Sequence, residues 1–174
     1  MNSKSAKEIL RDRAKALAGK PAQKKQADGT ILEVLAFHLA HETYGIEAVY
    51  IREVLPVQEI TPLPFTPPFI LGIVNVRGQI LSVTDIRKFF DLPDRGLTDM
   101  NRVILVHFNE MEIGILADAI IGMQSVHPAA LQAPLSTFTG IRAYCIKGIT
   151  KDRLVILDME KILSDRKLTV QEEI

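Results

Sequence analysis

A chain of 174 residues, 47% of them hydrophobic, is long enough to bury a real core, as one domain or as two small lobes. Its 21 basic and 21 acidic side chains cancel to a formal charge of zero, which argues against a dedicated binder of nucleic acid or anionic membrane. A single cysteine, Cys145, excludes an internal disulfide and a cysteine-based zinc site, and no stretch approaches the ~18 apolar residues of a membrane span.

The neutrality conceals an asymmetry. Residues 1–30 hold eight basic side chains against Glu8, Asp12 and Asp28, a net +5 that leaves −5 for the remainder. Residues 5–18 read as a short helix. Ser5 and Glu8 fit a capping box, and Ala6, Leu10, Ala14 and Leu17 make one apolar stripe at helical spacing. Gly19 suits its C-terminal cap, and Pro21 stops any continuation. The stripe is thin, so this helix is marginal on its own. Residues 20–29 are polar and read as a linker. Apart from alanines, Ile9-Leu10 is the only apolar pair before Ile31, so no signal peptide is expected and the chain reads as a soluble cytosolic protein.

From Ile31 the pattern turns to strands. Val34 to Phe37 is β-rich, a turn follows at His41-Glu42-Thr43, and further strands are expected beyond it and near Ile51 to Leu55. Prolines 56, 62, 64, 67 and 68 make the next stretch a loop, with Thr66-Pro67 opening a brief helix. Ile70 to Val76, a turn at Arg77-Gly78, and Gln79 to Thr84 form the strongest strand pair. Val103 to Val106, a turn at residues 109–112, and a strand near Ile120 to Val126 repeat the opening. Tyr144 to Thr150 and Leu154 to Leu157 repeat the hairpin, with a turn expected to be shorter than that of the first half. Leu154 to Leu157 is apolar throughout, the mark of a strand buried on both faces.

These segments are an internal repeat. Leu35-Ala36-Phe37-His38 and Tyr44-Gly45-Ile46 return about 69 residues later as Ile104-Leu105-Val106-His107 and Ile113-Gly114-Ile115. Gly72 returns as Gly148, and the strand ending at Asp85 returns as the one ending at Asp158. A repeat of this length built from short strands suits one small closed barrel per copy.

Residues matched in both halves have a structural claim. Asp85 and Asp158 each follow a strand and precede a helical pattern, where a carboxylate caps orphan amides. Gly72 and Gly148 permit close backbone approach or a bulge. His38 and His107 read as strand residues filling space, with no third ligand to suggest a metal. The unmatched polar residues are Arg77 and Glu53, which aligns with Gly122. An arginine on a rigid hairpin is placed to make forked hydrogen bonds to a partner. Catalysis finds no support: there is no nucleophile elbow, phosphate loop or dinucleotide turn. Cys145, in an apolar strand, reads as inert packing.

The run Tyr44-Gly45-Ile46, Ile51-Arg52-Glu53-Val54, then Phe69 through Asn75-Val76-Arg77-Gly78 to Asp85-Ile86-Arg87, resembles the CheW family of chemotaxis coupling proteins. The second half agrees through Ile113-Gly114-Ile115 and Gly148-Ile149 to Leu157-Asp158, so the likeness covers about residues 31–165. Val76 departs from the usual leucine, and Ser82 stands where proline is common. The resemblance implies a mainly β fold of two SH3-like five-stranded barrels sharing a hydrophobic core. Subdomain 1 is expected at about 31–90 and subdomain 2 at about 101–165, after a basic segment 1–30 and before a tail 166–174. It implies a non-enzymatic adaptor without metal or cofactor, cytoplasmic and recruited to membrane-associated receptor arrays. Its implied partners are methyl-accepting chemoreceptors and the regulatory domain of a CheA-type histidine kinase, with no nucleic acid and no membrane insertion. The partner-binding residues it implies are Ile51, Glu53, Val54, Gly72, Asn75, Arg77 and Gly78. A coupler in a related kinase pathway, such as type IV pilus motility, and a small-barrel nucleic-acid binder are the alternatives.

Overall fold

The structure, a computed structural model, describes residues 30–93, 96–134, 136–138 and 140–165. The helix expected at 5–18, the linker at 20–29 and the tail at 166–174 lie outside the described residues. The first half supplies β1 (Leu32–Leu39), β2 (Glu42–Glu47), β3 (Ile51–Pro56), β4 (Ile70–Val76), β5 (Gln79–Thr84) and helix α1 (Ile86–Phe89). The second supplies β6 (Arg102–Phe108), β7 (Met111–Ala117), β8 (Ala119–Val126), α2 (Gly140–Tyr144), β9 (Ile146–Ile149), β10 (Leu154–Leu157) and α3 (Met159–Ser164).

The strands form two five-stranded sheets, ordered β8-β1-β2-β10-β9 and β3-β6-β7-β5-β4. Exchanging each strand for its repeat partner converts one order into the other. Register follows the same symmetry. Ala36 lies opposite Gly45 as Leu105 lies opposite Gly114, and these glycines face Ile156 and Val83 in the parallel pairs. The sheets do not follow the halves 31–90 and 101–165. Each lobe takes two strands from one half and three from the other. Lobe A holds β1 and β2 with β8 to β10; lobe B holds β6 and β7 with β3 to β5.

Each lobe closes through a short bridge beyond its edge strand. Thr61, past β3, exchanges backbone hydrogen bonds of 2.9 and 2.8 Å with Ile73 of β4. Gln132, past β8, does the same with Ile149 of β9 at 2.9 Å each way. The matched glycines permit this closure. A Cβ on Gly72 would lie 2.2 Å from the Thr61 carbonyl oxygen, and its φ of +152° already disfavours a side chain. A Cβ on Gly148 would lie 2.8 Å from Leu131 Cβ.

Strand alternation then builds three cores. Val74, Leu81, Val83, Val103, Leu105 and Leu116 fill lobe B. Val34, Ala36, Val126, Leu154 and Ile156 fill lobe A. The opposite faces of the same strands, with Leu35, Phe37, Ile104, Val106, Ile115, Val155 and Leu157 among them, meet in one shared core. A strand serving two cores has no polar face, which explains the unbroken run from Leu154 to Leu157. Each large apolar side chain so buried contributes ~1.5–3 kcal/mol before ordering costs.

The chain crosses between lobes at two equivalent places, and each crossing is pinned. Asp85 and Asp158 cap α1 and α3 as expected, accepting from Arg87 N and Lys161 N at 3.1 Å. The residue two places on reaches the crossing. Arg87, 2% exposed, forks onto Asp85 at 2.9 and 2.8 Å and donates to Asp118 Oδ1 at 2.9 Å. Asp118 is the crossing between β7 and β8, and its other oxygen accepts from Ala40 N at 2.7 Å. In the other half Glu160 accepts from Tyr50 Oη at 3.0 Å, at the crossing between β2 and β3.

Several expectations need correction. The second hairpin turn is the longer, with residues 150–153 between its strands against Arg77-Gly78 in the first. Residues 140–144 are helical, because the chain must turn before β9, so Tyr144 is not in a strand. Cys145 lies at that junction, its N–H donating to Ile141 O at 3.0 Å. Thr66-Pro67 opens no helix; Thr66 Oγ1 donates back to Leu63 O at 3.1 Å within a turn. His38 and His107 fill no space; both are exposed near the ends of strands whose earlier residues are buried on both faces.

Replacing Arg87 with Met leaves two carboxylates facing each other without their cation. Urea denaturation should show a loss of ~3–5 kcal/mol. Tyr50→Phe, which removes an exposed hydrogen bond, should cost under ~1 kcal/mol. Gly72→Ala should destabilise more than Gly148→Ala, because it meets backbone at positive φ, and denaturation midpoints of the two variants order them directly.

Candidate functional site

The candidate partner residues, though spread over 51–78, all fall on lobe B: on β3, on β4 and at the β4–β5 turn. The turn is built from the Asn-x-Arg-Gly motif itself. Asn75 Oδ1 accepts from Gly78 N at 2.8 Å, bracing the hairpin. Arg77 and Gly78 take φ of +51° and +89°, the left-handed pair that a two-residue hairpin of this hand requires. Glycine takes that conformation freely; arginine does so at a cost.

The turn aims Arg77 at Glu53. Nη1 and Nη2 donate to the two carboxylate oxygens at 2.6 and 2.9 Å, a forked pair between the β4–β5 turn and β3. The arginine side chain is 69% exposed and the glutamate 24%. The hydrogen bonds from Arg77 hold the Glu53 carboxyl below the usual carboxylate range, and the same bonds raise Arg77. Val54, the next residue, is an exposed apolar side chain.

The candidates therefore divide. Arg77 and Val54 are exposed at the surface, and Glu53 is half-buried beneath the guanidinium. Asn75 and Gly78 shape the turn beneath Arg77, and Gly72 closes the lobe beside it. Ile51 sits at a bulge in β3 and packs against the shared core.

Sequence reasoning missed the rest of this surface. Arg52 donates to both oxygens of Glu112 at 2.7 and 2.6 Å and to Gln79 Oε1 at 3.3 Å. Gln79 Nε2 donates to Glu112 Oε1 at 3.1 Å. Opposite charges thus run along the rim from Arg77 to Glu112. No spacing in the chain links Arg52 to Glu112. Ile80, 57% exposed, was within reach: it stands at outward parity between Gln79 and the inward Leu81. With Gln58, Glu59, Thr61, Ile73 and Asn75 it lines a shallow groove of about 320 Å³ along the closing seam. Leu63 and a fully exposed Phe65 top the proline-rich loop nearby.

The chemistry elsewhere is quiet. Burial pushes the Cys145 thiol up to about 12, so it is neither nucleophile nor ligand at neutral pH. Among the described residues no three His, Cys, Asp or Glu side chains group to hold a metal. No helix of the described residues is long and apolar enough to cross a membrane.

The CheW-like domain family model matches residues 33–167. The chain is 28% identical over 143 residues to the chemotaxis protein CheW of Treponema pallidum, covering 78% of this chain and 84% of that one. It is 28% identical over 123 residues to protein FrzA of Myxococcus xanthus, covering 71% of each. The crystal structure of the scaffolding protein TtCheW from Thermoanaerobacter tengcongensis superposes with a TM-score of 0.67 at 31% identity, over 74% of this chain and 89% of that one. Two strand-exchanged lobes on a shared core, an Asn-x-Arg-Gly hairpin on one of them, and these likenesses lead to one assignment: the chain belongs to the CheW-like family of chemotaxis scaffold proteins.

Proposed function

We propose that this protein is a non-enzymatic adaptor that couples the cytoplasmic tips of chemoreceptors to the regulatory domain of a CheA-type histidine kinase. In this reading it works in the cytoplasm, at membrane-associated receptor arrays. The observation that carries it is the Arg77 hairpin. A non-glycine residue is held in a left-handed conformation at an exposed turn, and strain of that kind is retained where a side chain has a task. The fork to Glu53 orders the guanidinium before any partner arrives, which lowers the entropy lost on binding.

The rim beside it offers alternating charge, with Val54 exposed on β3 and Ile80 exposed on β5. An amphipathic receptor helix fits such a surface by laying its apolar face between the charges. Glu53, Val54 and Arg77 make the contact; Ile51, Gly72, Asn75 and Gly78 hold them in place. A kinase domain of related double-lobed shape would meet the other lobe end-on, leaving this rim to the receptor.

Arg77→Asn separates fold from function. Asparagine tolerates the left-handed turn but cannot fork. The melting temperature should stay level or rise, while calorimetry should show affinity for a receptor-tip fragment falling on the order of tenfold. Unchanged affinity for both the receptor fragment and the kinase domain would remove this rim from the proposal.

A further inference from the structure

β3 brings an arginine and a glutamate to the rim side by side. Ile51 lies opposite Val106 and Glu53 opposite Leu105, so Arg52 is the extra residue of a bulge, without a partner on β6. Neighbouring residues of a regular strand face opposite sides, and an extra residue re-aims them. Arg52 and Glu53 accordingly reach the same end of lobe B, where β4 turns into β5. Glu53 receives the fork from Arg77, and Arg52 meets Gln79, which follows Arg77 and Gly78 in the chain.

Two arginines therefore face one carboxylate. Arg77 lowers Glu53 first through its hydrogen bonds, and the charges of Arg77 and Arg52 add to the same pull. The fork uses both oxygens of Glu53, so an arginine that claimed either one would leave Arg77 a single hydrogen bond. Arg52 is kept from doing so by Glu112. The two oxygens of Glu112 accept from its Nη1 at 2.7 and 2.6 Å. Gln79 closes the ring, accepting from Arg52 at 3.3 Å and donating to Glu112 at 3.1 Å. Glu112 comes from β7 and its side chain is 13% exposed against 49% for Arg52, so the glutamate is the fixed member of the pair. It acts on Arg52 more strongly than Glu53 does.

We propose that Glu112 is a positioning residue for the Arg77 fork: by holding Arg52, it reserves Glu53 for Arg77. Without Glu112, Arg52 turns to Glu53, the other carboxylate that acts on it. Arg77 then loses half of its fork, and its guanidinium is no longer ordered before a partner arrives. The bearing on partner affinity rests on the adaptor reading above; the state of the fork does not.

Guanidinium NMR on the full, isotope-enriched chain tests this. An arginine held in a fork turns slowly about its Cζ–N bonds and gives separate Nη–H signals, whereas a free one gives an averaged line. The Arg77 signals, assigned by their absence in Arg77→Asn, should be separate in the unaltered chain and in Arg52→Ala. They should average in Glu112→Ala. Adding Arg52→Ala to Glu112→Ala should separate them again, which the loss of a mere brace would not allow. Averaged signals in the unaltered chain, in Arg52→Ala or in the double variant would overturn the proposal, as would separate signals in Glu112→Ala. Affinity for a receptor-tip fragment should fall about threefold in Glu112→Ala, less than in Arg77→Asn, because Arg77 is loosened and not removed. Level affinity with averaged signals would take the rim out of partner binding and leave Glu112 its positioning role.

Discussion

The guanidinium of Arg87, buried between Asp85 and Asp118, holds the point at which the chain leaves one sheet for the other. Tyr50 and Glu160 hold the equivalent point in the other half. These pins matter because the lobes exchange strands. Neither lobe is complete in one half of the chain, so each sheet depends on a crossing to bring it strands from the other half. The two pins occupy the same place by different chemistry. One is a desolvated ion triad, costly to break; the other is an exposed hydrogen bond, cheap to lose.

Exchange explains why the strands lack polar faces. β1, β6 and β10 each feed a lobe interior with one parity and the shared core with the other. Burial of both faces leaves little surface on which function can be placed: turns, rims and outer strands. That is where the Arg77 hairpin and the Arg52–Glu112 rim lie. A body locked by one core presents these features at fixed separation, which suits a protein whose work is to hold others in register.

Much of this was legible in the chain. The repeat marked equivalent strands, Asp85 and Asp158 announced their caps, and Ile70 to Val76 and Gln79 to Thr84 were bounded correctly by hydrophobic parity and the Arg-Gly turn. Strand exchange was not legible, because a repeat says which segments are alike and not which ones pair. Nothing local to the chain gave Arg87 its role; only the fold brings Asp118 to it from 31 positions away. Arg52 and Glu112 escaped for the same reason. Gly72 was read as a partner residue and a close-approach glycine at once, and the geometry of Thr61 explains it through closure. The motif around Arg77 was readable because a turn is local: Asn75, Arg77 and Gly78 carry their conformation in their own order.

Simultaneous occupancy tests the adaptor account most directly. Sedimentation of this protein with a receptor-tip fragment and a kinase regulatory domain, mixed together and in pairs, measures it. The account predicts one species containing all three, since the partners take different lobes of a rigid body. Partners that displace one another, or that assemble equally well without this protein, would contradict it.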